Sequence, residues 1–384
     1  MNRVADVLGV TCTADVSLMD IECTVTDGTS SFTEVLALPT SGVNTERIWL
    51  MERMVHEVEA IGHELSVHEF HGLLDDIEHT PGNYSPVIAG LASALACAAF
   101  VFLLGGGPVE MLCAFVGAGI GNWVRRLMLD RHINQFCAVG ASVGLACLAY
   151  LVILELLALG GLEGALTHEA GYIGAMLFVI PGFPLITSGL DIMKLDLRSG
   201  IERLTYAVSI IVIATLVGWL VASCVQLQPD SFVPLGLSAP VLCALRLAAS
   251  FCGVFGFSIM FNSPVRMAAT AGAIGMVANT LRLELVDLAA MPPETAAFLG
   301  ALAAGLLASL VGRHLGFPRI SLTVPSIVIM VPGLYMYKAI YYMGIFDAGN
   351  MMGWLMRAVL IVAFLPMGLG LARALTDTRW RHCS

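Results

Sequence analysis

Asp191 and Lys338 are charged side chains in stretches otherwise apolar enough for a bilayer, and each follows a proline break. In LFVIPGFPLITSGLDIMKLD (177–196) the prolines are Pro181 and Pro184, and in MVPGLYMYKAIYYM (330–343) the break is Pro332. Proline inside a helix removes a backbone hydrogen bond and clashes with the preceding turn, at about 3 kcal/mol in water. In lipid the freed backbone groups must find other partners. Proline is at home in a first helical turn, so Pro181 and Pro332 can each begin a second half-helix, with Gly182 and Gly333 next in line. The free N–H groups and positive dipole end of such a half-helix point into the protein and suit a carboxylate. A plain proline kink, functionally silent, is the competing reading. Six residues after each break stand Thr187 and Lys338, and one turn further come Asp191 and Tyr342. Thr187 can hydrogen-bond a substrate, Lys338 can offer an ammonium to a carboxylate, and Asp191 can take a proton or an amino group. Partial removal from water disfavours the charged carboxylate, which makes Asp191 the candidate proton carrier. This mixed set fits an amino acid better than a dianion, which ionised Asp191 would repel.

Glu155, Arg246 and Arg357 are also ionisable residues within apolar segments. On insertion scales each costs about 2.5–3.5 kcal/mol if centred, so function is the default reading. Snorkelling competes with it for Lys338 and Glu155, which fall near segment ends, and less for Asp191.

Other constellations carry less. His56, His63, His68, His71 and His79 stand among Glu64, Glu69, Asp75 and Asp76, and His71, Asp75 and His79 share one helical face. Without an H-E-x-x-H pattern a solvated charged face explains them better than a metal site, and no metal or cofactor is expected. GAGIG (117–121) has no strand before it and reads as close helix packing rather than a dinucleotide loop, and no Walker motif accompanies it. The ten cysteines contain no C-x-x-C pair, and Cys97, Cys113, Cys137, Cys147, Cys224, Cys243 and Cys252 lie in apolar segments as small hydrophobes. A formal net charge of −10 argues against nucleic acid as a partner.

The elements that position these residues follow from hydropathy. Of 384 residues 58% are hydrophobic and 12% charged, and the mean hydropathy of +0.84 belongs to the polytopic membrane class. The first 80 or so residues are polar and lack the basic start and apolar core of a cleavable leader. They read as two strands, 15–28 ending in Asp27-Gly28 and 31–38, then helices over 44–62, closed by Gly62, and from a Ser66/Glu69 capping box through Ile77. Ten apolar segments follow, at about 86–104, 108–124, 134–157, 171–192, 204–226, 238–261, 264–281, 294–312, 320–342 and 351–373. With the head cytoplasmic, inner connections receive Arg125, Arg126 and Arg131, then Lys194, Arg198 and Arg203, then Arg266, then Arg313 and Arg319, and finally Arg373, Arg379 and Arg381. Outer connections receive little beyond Arg282, as the positive-inside rule requires.

An internal repeat supports this count. GPVEMLCAFVGAGIGNWVRRLML (107–129) resembles SPVRMAATAGAIGMVANTLRLEL (263–285), pairing Pro108 with Pro264, Gly119 with Gly275 and Arg126 with Arg282. VIPGFPLITSGLDI (179–192) pairs Pro181 and Gly182 with Pro332 and Gly333. Five spans per unit is odd, so the second unit enters from the opposite side. The expected fold is an all-α polytopic membrane protein of ten transmembrane helices as two inverted five-helix repeats, with a small N-terminal α+β cytoplasmic domain. Its divisions are 1–84 for the head, 85–228 for the first repeat, and 229–384 for the second repeat with a cytoplasmic tail at Cys383.

IPGFPLITSGLDIMKLDLRSGIER (180–203) resembles the signature of the threonine/serine exporter family, and the resemblance extends through the head, 105–136 and about 251–364. The chain is also similar to a two-subunit bacterial succinate exporter, as though its two membrane proteins were fused. Pro181, Gly182, Pro184, Asp191 and Arg203 match the first-half signature, Glu110 an acidic position after the glycine run, and Pro332 and Gly333 the second-half break. The resemblance implies proton-driven export of threonine, serine or a small dicarboxylate across the bacterial cytoplasmic membrane, with Glu110 joining Asp191 in coupling and Arg126 and Arg203 at the cytoplasmic face. Lys338 has no counterpart in that pattern. An intramembrane hydrolase would need a nucleophile with a base or a helical metal pair, and a channel a continuous polar pathway; neither feature is legible. Substrate choice and a homo-oligomeric assembly stay open.

Overall fold

The computed structural model describes residues 1–38, 42–61, 66–162, 164–229 and 232–381. The head begins with α1 (Asn2–Leu8) and an antiparallel meander of β1 (Thr11–Val16), β2 (Asp20–Thr26) and β3 (Ser31–Ala37). Asp27 makes the expected hairpin turn. Its carboxylate accepts the Thr29 and Ser30 N–H groups at 2.9 and 2.7 Å, and Gly28 takes φ 87°. The single strand expected over 15–28 is instead interrupted. Ser17 donates its hydroxyl to Asp20 at 2.7 Å and accepts the Met19 and Asp20 N–H groups, a local bonding set that turns the chain out of the ladder. The third strand therefore lies upstream, with Ala14 opposite Cys23.

Helices α2 (Thr45–Ile61) and α3 (Val67–Glu78) complete the head, the latter started by the expected Ser66/Glu69 box. Gly62, His63 and Glu64 lie outside the described residues, as does Cys383.

Each of the ten apolar segments is a helix or a bent pair of helical pieces. Three helices come first, α4 (Pro86–Leu103), α5 (Pro108–Asp130) and α6 (Gln135–Leu159). The fourth segment is broken into a 3₁₀ piece (Ala165–Gly171), α7 (Tyr172–Ala175), a second 3₁₀ piece (Leu177–Val179) and α8 (Gly182–Met193). Then come α9 (Leu197–Val225), α10 (Ala239–Met260), α11 (Val265–Ala289), α12 (Pro293–Leu315), the broken pair α13 (Arg319–Val328) and α14 (Gly333–Gly344), α15 (Ala348–Thr376), and the short α16 (Thr378–Arg381). Among the described residues six helices (α4, α6, α9, α10, α12 and α15) are long and apolar enough to cross a membrane, giving up to eight spans if each bent pair, at 58° and 48°, counts as one. Helices α5 and α11 have the length but are diluted by arginine, asparagine and glycine. Arg125 and Arg126, expected in a connection, lie in the last two turns of α5, because the helix continues past the apolar run to Asp130.

The packing pattern of the first five segments recurs in the second five. α4 lies on α5 and α5 on α6, as α10 lies on α11 and α11 on α12. α8 packs on α9 and crosses to α15, while α14 packs on α15 and crosses to α9. α4 and α10 meet each other at the junction of the two sets. Small residues permit these approaches: a Cβ on Gly117, in the GAGIG stretch, would stand 2.7 Å from the Ala146 carbonyl oxygen.

The head docks on the end of the bundle that carries the arginine-rich connections. Thr45 shares a 2.6 Å hydrogen bond with Ser263, Trp49 donates to the Gly316 carbonyl at 3.0 Å, and Tyr84 donates to that of Ser263 at 2.6 Å. On the other flank Arg198 reaches Asp15 and Asp20 at 2.6 and 3.0 Å.

Candidate functional site

Pro181 and Pro332 adopt nearly the same backbone, φ −80° with ψ 63° and φ −80° with ψ 51°. Each is the middle of an inverse γ-turn: Gly182 N–H donates to the Ile180 carbonyl and Gly333 N–H to that of Val331, both at 2.8 Å. Each proline carbonyl then accepts the first helical bond, from Leu185 and Met336 at 3.0 Å. The match continues to the far ends of α8 and α14. Leu195 and Phe346 take φ 65° and 60°, and Asp196 and Asp347 cap α9 and α15 through the Ser199 and Asn350 N–H groups. Two twelve-residue half-helices thus start and stop by the same local chemistry.

The two breaks pack against each other. A Cβ on Gly182 would lie 3.1 Å from Val328, and one on Gly333 would lie 2.7 Å from Leu177. Those partners are themselves at repeat-related positions. Phe100, Ile180, Phe257 and Val331 complete an apolar seam whose void, about 10 Å³, is at the lower limit for a single water.

Cavities lie on both sides of this seam. The first, about 530 Å³, opens beneath Leu18, Val43 and Ile48 of the head and ends on Pro181, Gly182, Phe183, Pro184 and Thr187. Of the first three N–H positions of α8, Gly182 is already bonded and Pro184 has no donor, so Phe183 carries the available N–H at this helix start. Thr187 is buried and donates its hydroxyl to the Phe183 carbonyl at 3.0 Å, leaving lone pairs for an incoming donor. Arg125, Gln135, Arg203 and Tyr206 also line the cavity, and no aspartate or glutamate does among the described residues. The second cavity, about 510 Å³, lies at the end away from the head, between Phe102–Gly105, Pro234–Leu237, Leu334, Arg246 and Lys338.

Thr187 and Lys338, expected in one site, therefore line different cavities. They hold equivalent positions on half-helices that leave the breaks toward opposite ends. Lys338 Nζ lies 4.8 Å from the centre of the Trp354 ring. Asp191 is turned away from the first cavity to Arg203, whose Nη1 donates to its Oδ2 at 2.8 Å.

Glu110 is fully buried at the start of α5. It accepts the Gly107 N–H at 2.9 Å and pairs with His168 Nδ1 at 2.7 Å. Tyr150 orients that histidine's backbone by donating to the His168 carbonyl at 2.6 Å. His168 is missing from the sequence expectations because nothing local couples it to Glu110. Arg126 Nη2 reaches the Met260 carbonyl at 3.5 Å. Arg125, Gln135 and Tyr206 were also missed, since Arg125 reads as one more inner-loop charge. In the head, His79 Nδ1 bonds the Asp75 backbone carbonyl at 2.8 Å, and no three His, Cys, Asp or Glu side chains among the described residues converge on a metal position.

A family model described as "Putative threonine/serine exporter" matches residues 1–225, and a second described as "Threonine/Serine exporter, ThrE" matches 246–375. A "Probable threonine/serine exporter" of Mycobacterium tuberculosis is 23% identical over 354 residues, covering 88% of this chain. The chain spans 64% of that relative's length. A "Probable succinate transporter subunit YjjP" of Escherichia coli is 27% identical over 145 residues, 37% of this chain and 53% of that protein. The subunit of the same description from Klebsiella aerogenes is 26% identical over 175 residues, 44% of this chain and 65% of that protein. No solved structure matches.

Proposed function

Because the chain belongs to the threonine/serine exporter family, membrane transporters rather than enzymes, we propose that it exports threonine and serine across the bacterial cytoplasmic membrane as a secondary transporter driven by the proton gradient. The observation that carries this reading is the cavity that ends on the α8 break while the α14 break packs against it from the other half. Paired interruptions at corresponding positions are how secondary transporters build a substrate site from backbone.

In this reading the ten segments are ten spans in two inverted five-helix repeats (85–228 and 229–384), and residues 1–84 form a cytoplasmic domain. The arginine-rich end, with the head docked on it, faces the cytoplasm, so the first cavity is the inward vestibule and the second the outward one. Substrate passes Pro181, Gly182, Pro184 and Thr187, crosses the seam at Pro332 and Gly333, and leaves past Lys338. Asp191 and Glu110 exchange protons, one at each end, while Arg203 and Arg126 hold the cytoplasmic ends of α9 and α5.

A small dicarboxylate such as succinate is the second reading. It is favoured by the arginines of the first cavity, where no aspartate or glutamate among the described residues stands to receive an ammonium. Counterflow in proteoliposomes decides: labelled threonine and serine should accumulate against the same unlabelled amino acid and gain a further gradient from an imposed pH difference. Accumulation of succinate alone would select the second reading. Movement that never exceeds equilibration under a pH gradient would sink both.

A further inference from the structure

We propose that Arg125 is the group that receives the substrate carboxylate, which makes the first cavity selective for a carboxylate over its neutral amide whichever small substrate is carried. The inference rests on the exporter reading and adds a ligand to it.

Arg125 projects from the last two turns of α5 into the cavity that ends on the α8 break. Its Nε is buried and has no hydrogen-bond partner. The other polar side chains nearby have theirs. Arg203 is held by Asp191 at 2.8 Å, Gln135 donates to the Tyr206 hydroxyl, and Arg126 reaches the Met260 carbonyl. Arg125 is half-buried, but a donor shut off from solvent without a partner is costly, and an incoming acceptor would remove that cost. No aspartate or glutamate lines this cavity among the described residues, so a carboxylate arriving with the substrate is the partner that fits.

Guanidinium is also the side chain shaped for that task. Its planar fork binds a carboxylate through two parallel bonds and stays charged at any physiological pH, which an ammonium cannot match in geometry. The Phe183 N–H at the start of α8 adds a second favourable feature in the same cavity, because a helix start attracts negative charge. Phe178, Phe257 and Phe261 wall the remainder with apolar surface. Arg203 cannot serve equally, since drawing it to a substrate would break its ion pair with Asp191.

The test uses the full chain in liposomes. For the wild type, threonine should compete with labelled threonine in counterflow, and threoninamide should not; succinate and its diamide are compared in the same way. Arg125→Gln should raise the half-saturation concentration roughly tenfold or more, the expected loss for a charge-assisted hydrogen bond. It should also bring acid and amide to within about twofold of each other. Arg125→Lys should be intermediate, keeping charge without the fork. An Arg125→Gln protein with wild-type half-saturation and wild-type preference for acid over amide would overturn the proposal. Wild-type protein that exchanges none of these compounds would overturn the exporter reading. Thermal stabilisation of the purified chain would then decide the Arg125 assignment: stabilisation by acids, not amides, that disappears in Arg125→Gln supports it, and equal stabilisation by both, or by neither, ends it.

Discussion

Asp191 and Arg203 form a partly exposed pair, 19% and 30% accessible, at the head-side ends of α8 and α9. Their coupling is about 1 kcal/mol after screening by solvent, too little to explain an aspartate in an apolar segment by stability alone. Asp191→Asn should lower gradient-driven efflux roughly tenfold or more while leaving exchange partly intact. The double change Asp191→Asn with Arg203→Gln should restore exchange further, by removing the stranded guanidinium, without restoring accumulation. Full accumulation by either variant would remove Asp191 from coupling. A second carboxylate, Glu46, sits at the seam between head and bundle, where burial raises its pKa above the ordinary 4.5 despite bonds from Asn83 and Asn262. The folded form holds this proton more tightly than the unfolded form, so its favourable contribution is complete below 4.5 and is lost as pH rises through the elevated folded value. Glu46→Gln should flatten the pH dependence of head docking across that window, read by protease cleavage between head and bundle from pH 4 to 8. An unchanged slope would mean that Glu46 does not titrate there.

Breaks are element-scale devices, and each works only because its neighbour is shaped to it. Gly182 faces Val328 and Val331, while Gly333 faces Leu177 and Ile180, with less than a methyl group's clearance at the tighter contacts. Gly182→Val and Gly333→Val should each wedge the seam open, costing about 1–3 kcal/mol of packing. Counterflow should fall several-fold while the protein still inserts and purifies as a single species. The pair of changes should be no worse than additive if the halves separate independently, and worse if they share the seam. Wild-type rates in both single variants would mean that the contact is dispensable for the transport cycle.

At the scale of the whole molecule, the recurring packing pattern makes the two ends of the bundle distinguishable by equivalent residues. Leu195 and Phe346 are 80% and 94% exposed, share the left-handed backbone, and follow α8 and α14 respectively. Ser199, by contrast, is buried and donates to the Val16 carbonyl under the head. In a background without native cysteines, Leu195→Cys should resist an impermeant thiol reagent in intact cells, and Phe346→Cys should react. Both reacting, or the reverse, would overturn the inverted arrangement or its orientation.

Local chemistry determined what the sequence could reveal. Apolar runs of bilayer length, the Asp27-Gly28 turn, the Ser66/Glu69 cap and the paired prolines each depend on residues adjacent in the chain. The same is true of the repeat, whose equivalent breaks differ by only 12° in ψ at their prolines. Side-chain meetings across helices depend instead on how far each helix is rotated and where it stops. Lengthening α5 to Asp130 put Arg125 into a cavity rather than a connection. Opposite directions of departure from the seam sent Lys338 to one cavity and Thr187 to the other, although both stand six residues past a proline. Glu110 meets His168 because the 3₁₀ piece before α7 folds back over the start of α5, a contact that no periodicity encodes. Ser17 likewise ended a strand that alternation alone would have continued, because its hydroxyl offered the backbone a closer partner than the neighbouring strand.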